Sequence, residues 1–170
     1  MVWIPVGEAP HRELEGDPGP EARLEMCRLA VERDDQFELS RVEIDREGPS
    51  YTADTLAGFA PDDELFLILG GDQAAALGAW HEPHEVLGRA TLAAVERDDT
   101  QRGQIAEQIE RIGHSGARLV FFDMPRIELS SSLIRERVAA GRPIRHLVPD
   151  GVAEAIQEQG MYSPELVRAT

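Results

Sequence analysis

The sequence predicts an α/β fold, a doubly wound parallel sheet with helices on both faces. Three observations predict it. Strand-like apolar runs alternate with helix-period segments along all 170 residues, the pattern of repeated strand–helix–strand units. The run from Glu64 to Leu69 is almost continuously apolar, as a strand covered on both faces must be. Glycines stand where strands give way to helices or helices end, at Gly70, Gly71, Gly113, Gly141 and Gly160.

Each element follows in turn. Val2 to Val6 is a short apolar run that reads as the first strand. Gly7 to Pro20 is polar and rich in proline and glycine, hence a loop. Glu21 to Glu32 carries Leu24, Cys27 and Val31 at helical spacing. Phe37 to Ile44 alternates with one break and reads as a strand with room for a bulge. Ser50 to Phe59 is a short helix, with Ser50 or Thr52 as its cap. After the strand Glu64–Leu69, Asp72 to Leu77 turns helical. Thr91 to Val95 is a strand, Gln101 to Ile112 a helix, and Ala117 to Phe122 a strand. Ile127 to Leu129 is a short extended piece. Ser131 to Ala140 and Asp150 to Gln159 are the last helices.

Composition bounds the function. The apolar fraction is 42%, enough for a packed core, and the length suits one domain spanning 1–170. The net charge is −15, and all 17 basic side chains are arginines. Such a surface repels nucleic acid, so a nucleotide needs a local positive cluster. Cys27, the single cysteine, forms no internal disulfide and reads as a buried structural thiol. No segment has the apolar length of a membrane span or the form of a secretory leader. A cytoplasmic protein is expected, with no membrane or nucleic-acid partner. The sequence leaves room for a homo-oligomer.

In parallel sheets ligands sit at the carboxyl ends of the strands, so residues there weigh most. Pro5-Val-Gly-Glu-Ala-Pro-His11-Arg12 follows the first strand; it is either a solvated loop or a basic contact. Gly48-Pro-Ser50-Tyr51-Thr52-Ala-Asp-Thr55 joins a strand to a helix and holds more hydroxyls than capping needs. Leu69-Gly70-Gly71-Asp72 lets backbone approach a ligand closely, and Asp72 is placed to bind a ribose or to cap a helix. Trp80 is either a core plug or a flat wall for a ring. Arg97, just after Thr91–Val95, is a crevice residue or an exposed loop arginine.

The sharpest local signal is Ser130-Ser131-Ser132-Leu-Ile-Arg135. Hydroxyls open a helix whose first-turn N–H groups lack partners, and Arg135 lies on the face of Ser131. Together they make a phosphate cradle or a capped helix with an exposed arginine. A Gly-x-x-x-x-Gly-Lys phosphate loop is absent. His81-x-x-His84 has no third ligand near in sequence and is broken by Pro83, so it reads as structural or solvated, not a metal site. His114 and His146 have no context that singles them out.

In this order the pieces resemble the bacterial nicotinate-mononucleotide adenylyltransferases. The stretches that carry the resemblance are Val-Trp-Ile-Pro-Val-Gly-Glu-Ala-Pro-His-Arg, Gly-Pro-Ser-Tyr-Thr-Ala-Asp-Thr-Leu, Leu-Gly-Gly-Asp, Trp80, Ile-Glu-Leu-Ser-Ser-Ser-Leu-Ile-Arg and Leu-Val-Pro-Asp-Gly-Val, from Val2 to Tyr162. The resemblance implies a Rossmann-like sheet of nucleotidyltransferase type. It implies transfer of AMP from ATP, with Mg²⁺, to nicotinate mononucleotide, giving deamido-NAD and pyrophosphate. It places Ser50, Tyr51 and Thr52 around the mononucleotide, Trp80 on its ring, and His11 and Arg12 near phosphates. It places Gly70, Gly71, Asp72 and Arg97 along the ATP crevice, and Ser131, Ser132 and Arg135 on the triphosphate.

Two departures stand out. Arg12 replaces a lysine. The family also opens with a strand, a Gly-x-Phe-Asp-Pro-x-His-x-Gly-His segment and a helix, which this sequence does not contain. The first strand and helix are therefore expected to lie outside this chain, in a longer natural protein. Loss of those histidines is expected to cost on the order of 10²–10⁴ in rate, the scale of losing preorganised donors. A nucleotide-binding protein without turnover, and an adenylyltransferase for another phosphate ester such as phosphopantetheine, are the competing readings. An aromatic substrate ring explains the Ser-Tyr-Thr segment and Trp80 better than the latter does.

Overall fold

A computed structural model describes residues 1–10, 17–95, 99–125 and 127–163, with the side chains of 99–101 excepted. In chain order the elements are β1 (Val2–Trp3), α1 (Pro20–Val31), β2 (Glu38–Leu39), α2 (Thr52–Ala57), β3 (Leu65–Gly70) and α3 (Gly71–Ala75). A 3₁₀ turn (Leu77–Ala79) follows, then α4 (Pro83–Arg89), β4 (Ala90–Val95), α5 (Asp99–Ile112), β5 (Leu119–Phe122), α6 (Ser131–Ala139) and α7 (Asp150–Glu158). Every strand pairing is parallel, as expected. The contacts gather into two compact units: Met1–Ser50 with Ile127–Thr170, and Tyr51–Arg126.

In the first unit β1 pairs with β2, Val2 opposite Glu38 and Trp3 opposite Leu39. Both strands are shorter than their apolar patterns suggest. Pro5 has no N–H to give a ladder. Beyond it the Val6 and Gly7 carbonyls accept from the Arg23 guanidinium at 2.9 and 2.7 Å. On the partner strand, the Arg41 carbonyl accepts from Ile44 and Asp45 N–H, which turns the chain before Val42–Ile44 can extend. The core of this unit is Ile134, Ile144, Val152, Ile156 and Met161, with Met26 and Leu29 of α1 against it. No residue of α1 is fully buried. Cys27 is thus half-buried rather than interior, and burial still pushes its thiol up.

In the second unit the sheet order is β3–β4–β5. Leu65, Leu67 and Leu69 of β3, Leu92 and Ala94 of β4, and Leu119 and Phe121 of β5 face a core with Ala74, Leu77, Val86, Leu87, Ile105 and Ile109. The opposite face is different. Phe66, Ile68, Val120 and Phe122 are 55%, 47%, 44% and 37% exposed. Register puts them side by side, through Thr91, Ala93 and Val95 of β4.

Among the described residues Ile127 to Leu129 pairs with no strand, and Ile127 and Leu129 are exposed. One expectation from the sequence is corrected here. A helix was missed at Pro83–Arg89: Pro83 does not break it but starts it, since the first helical position needs no N–H partner.

Candidate active site

Three of the expected site residues of the second unit, Gly70, Gly71 and Asp72, stand at the end of β3. Gly70 ends the strand and Gly71 begins α3, with Asp72 in its first turn. Gly70 has an ordinary extended backbone, and a side chain there would meet open space. Neither torsion nor packing within the protein demands glycine at that position. Its strand neighbour in register is Val95, so the carboxyl ends of β3 and β4 lie level. Asp72 is exposed, and the cap position of α3 belongs to Gly70.

Trp80 follows the 3₁₀ turn and packs against the core while remaining partly exposed. His81, read as solvated or structural, lies face to face with Tyr51: their centroids are 4.1 Å apart and the planes 29° apart. The sequence held no signal for that pair, because 29 intervening residues separate Tyr51 from His81. Tyr51, not Ser50 or Thr52, occupies the cap position of α2, and no side chain caps this helix. Thr55 instead donates from both N–H and Oγ1 to the Tyr51 carbonyl, at 3.1 and 3.2 Å. Thr52 is the first helical residue and is partly exposed.

In the first unit Ser50 is 8% exposed. Its Oγ accepts from the Gly7 and Glu8 N–H groups at 3.1 and 3.3 Å, and its own N–H donates to the Glu8 carbonyl at 2.8 Å. Ser50 therefore ties down the segment that leads into His11 and Arg12. Arg23 holds the same segment through the Val6 and Gly7 carbonyls and pairs with Asp17 at 2.6 Å. Sequence reading missed Arg23, because a helical arginine carries no mark of its distant partners. Gly7 is required by packing: a Cβ there would lie 2.1 Å from the Glu43 carbonyl oxygen. His11, Arg12 and Arg97 lie outside the described residues.

Helix α6 starts as the serine run predicts. Ser130 is the cap, its Oγ accepting from Leu133 N–H at 3.1 Å. Ile134 N–H donates to the Ser130 carbonyl. The first-turn donors that no helical carbonyl can serve are then those of Ser131 and Ser132. Arg135 reaches back to Ser132 Oγ at 3.1 Å, so guanidinium, hydroxyls and helix start share one spot. An open cleft of about 700 Å³, lined by Arg142, Ile144, Arg145, Asp150 and Glu154 among others, lies at the other end of α6 and belongs to none of this. Among the described residues no three His, Cys, Asp or Glu converge as metal ligands.

Residues 1–137 match the cytidylyltransferase-like family. A probable nicotinate-nucleotide adenylyltransferase of Dehalococcoides mccartyi is 36% identical over 167 residues, covering 95% of this chain and 81% of that protein. One from Roseiflexus sp. is 39% identical over 166 residues, covering 95% and 82%. Among solved structures, Plasmodium falciparum nicotinic acid mononucleotide adenylyltransferase complexed with NaAD superposes with a TM-score of 0.69 at 13% identity, over 95% of this chain and 81% of that one. That likeness shows the fold, a nucleotidyltransferase-type α/β domain. Matched along nearly its whole length by relatives above 30% identity, the chain belongs to the nicotinate-nucleotide adenylyltransferases of the cytidylyltransferase-like family.

Proposed function

We propose that the protein transfers the adenylyl group of ATP to nicotinate mononucleotide, giving deamido-NAD and pyrophosphate, a step of NAD biosynthesis. The observation that carries this is the 36–39% identity over 95% of the chain to relatives of that name. The geometry fits the chemistry. An oxygen of the mononucleotide phosphate attacks the α-phosphorus of ATP. The bond from that phosphorus to the bridging oxygen breaks, and pyrophosphate leaves with the electron pair. No protein nucleophile is needed, so positioning and charge neutralisation carry the reaction.

In this reading the N–H groups and hydroxyls of Ser131 and Ser132, with Arg135, hold the triphosphate at the start of α6. Gly70, Gly71, Asp72 and Arg97 line the ATP crevice, where the absence of a Gly70 side chain leaves room for ligand atoms. Mg²⁺ enters as part of the nucleotide substrate. Ser50, Tyr51 and Thr52 lie around the mononucleotide, Trp80 stacks on its ring, and His11 and Arg12 lie near phosphates. The reaction belongs to the cytoplasm. No helix among the described residues is long and apolar enough to cross a membrane.

A pyrophosphate-release assay with MgATP and nicotinate mononucleotide tests the reading, alongside calorimetry with each ligand. Turnover supports transferase activity. Binding of both ligands without pyrophosphate selects the competing reading, a binding protein. Failure to bind the mononucleotide sinks both.

A further inference from the structure

We propose that His81 is a positioning residue for the mononucleotide: its imidazole holds the Tyr51 ring in the orientation that meets the substrate. The proposal rests on the placement of Tyr51 beside the mononucleotide.

Three features of the turn carry it. First, the two rings are stacked, with centroids 4.1 Å apart and planes 29° apart, though 29 residues of chain separate them. Second, the stack is not core. The His81 side chain is 45% exposed, and neither ring belongs to the buried cluster that Trp80 packs against. A contact so open to water adds little to the stability of the fold. What it does is restrict the Tyr51 side chain, which sits at the mouth of α2 with its carbonyl already fixed by Thr55.

Third, the backbone that presents His81 is held in an unfavourable conformation. Glu82, the next residue, has φ 47 and ψ 57, in the left-handed region. A residue with a side chain pays for that conformation, and one preceding proline is pushed towards extended backbone instead. The turn persists because the Glu82 carbonyl accepts from Glu85 and Val86 N–H, at 3.0 and 3.3 Å, as α4 begins. Trp80 on one side is anchored in the core, and Pro83 on the other starts the helix. His81 is thus carried on a rigid, strained corner between two fixed points. Strain of this kind persists where the surroundings over-determine it, and it gathers at ligand sites. The imidazole supplies a flat face without a long flexible stem, so the pair costs little side-chain entropy to form.

Calorimetry on the full chain tests the role with nicotinate mononucleotide and, separately, MgATP. His81→Ala is expected to weaken the mononucleotide about threefold to tenfold, the scale of one aromatic pair, and to leave MgATP unchanged. His81→Phe, which keeps a flat ring, is expected to restore most of the loss. In a Tyr51→Ala background, His81→Ala is expected to add nothing, because its effect runs through Tyr51. Equal weakening of both ligands, an undiminished effect without Tyr51, no rescue by phenylalanine, or no change at all in His81→Ala overturns the proposal. Wild-type protein that takes up no mononucleotide overturns the functional reading, and this proposal with it.

Discussion

At the level of single side chains, the proposed reading assigns Trp80 to the mononucleotide and Arg135 to ATP, and two substitutions test that division. Removing a flat ring from a stacked base costs about 1–3 kcal/mol. Trp80→Ala should weaken nicotinate mononucleotide by that amount in calorimetry, with the fold checked by circular dichroism because Trp80 also packs on the core. Arg135→Ala should weaken MgATP more than the mononucleotide; equal losses would remove it from the triphosphate. Ser50 is of another kind. Its hydroxyl serves two backbone N–H groups at a nearly buried position. Ser50→Ala should destabilise the protein by about 1–3 kcal/mol in urea, the cost of unsatisfied buried donors. Tyr162 adds a pH effect. Burial pushes its phenol above the ordinary value near 10. A folded-state pKa above the unfolded one means this contribution is complete below about pH 10 and is lost as pH rises through the folded value. Tyr162→Phe should flatten the alkaline fall of the urea midpoint; an unchanged slope would show that other groups cause it.

The elements owe their limits to caps and to competing hydrogen bonds. Helix α6 begins where Ser130 accepts from Leu133 N–H and ends before Gly141, whose φ of 64 suits glycine. Ser130→Ala should cost about 1 kcal/mol of stability and loosen the start of α6, so MgATP affinity should fall while mononucleotide affinity holds. Matching affinities in mutant and wild type would mean that α6 does not need its cap to present Ser131 and Ser132. Helix α1 shows how exposed ion pairs dress an element without anchoring it. Arg28 hydrogen-bonds to Glu25 and Arg41 to Glu21, holding both carboxyls below their ordinary range. Arg23, on the same helix, instead fastens Val6, Gly7 and Asp17, which flank His11 and Arg12 in sequence.

Across the molecule, the parallel β3–β4–β5 sheet is well covered on one face and open on the other. Parallel sheets are ordinarily covered on both. Among the described residues β3 pairs with β4 alone and β1 with β2 alone. Phe66, Ile68, Val120 and Phe122 form a contiguous apolar surface of the sort that binds hydrophobic dyes. Replacing Phe66 and Ile68 together by serine should lower dye fluorescence markedly and leave the melting temperature nearly unchanged, since both side chains already face water. Unaltered fluorescence would mean that this face is covered in solution.

The sequence by itself determined the kind of fold and the local pieces of the site. A continuous apolar run bounded by glycines reads as a strand of a parallel sheet, and a serine run before helix-period residues reads as a helix start, because backbone donors must find partners nearby. Gly70-Gly71-Asp72 and Ser130 to Arg135 were legible for that reason. The tertiary structure decided what depends on partners far along the chain. It clipped β1 and β2 where arginine and turn carbonyls outcompeted the ladder. It turned Ser50 from a helix cap into a clamp on Gly7 and Glu8. It paired Tyr51 with His81 and made Pro83 a helix start. Hydrophobic periodicity and capping act over a few residues and are written in the local pattern. A ring stack or a guanidinium on a distant carbonyl is set by where the packed elements bring the chain together, which no local pattern encodes.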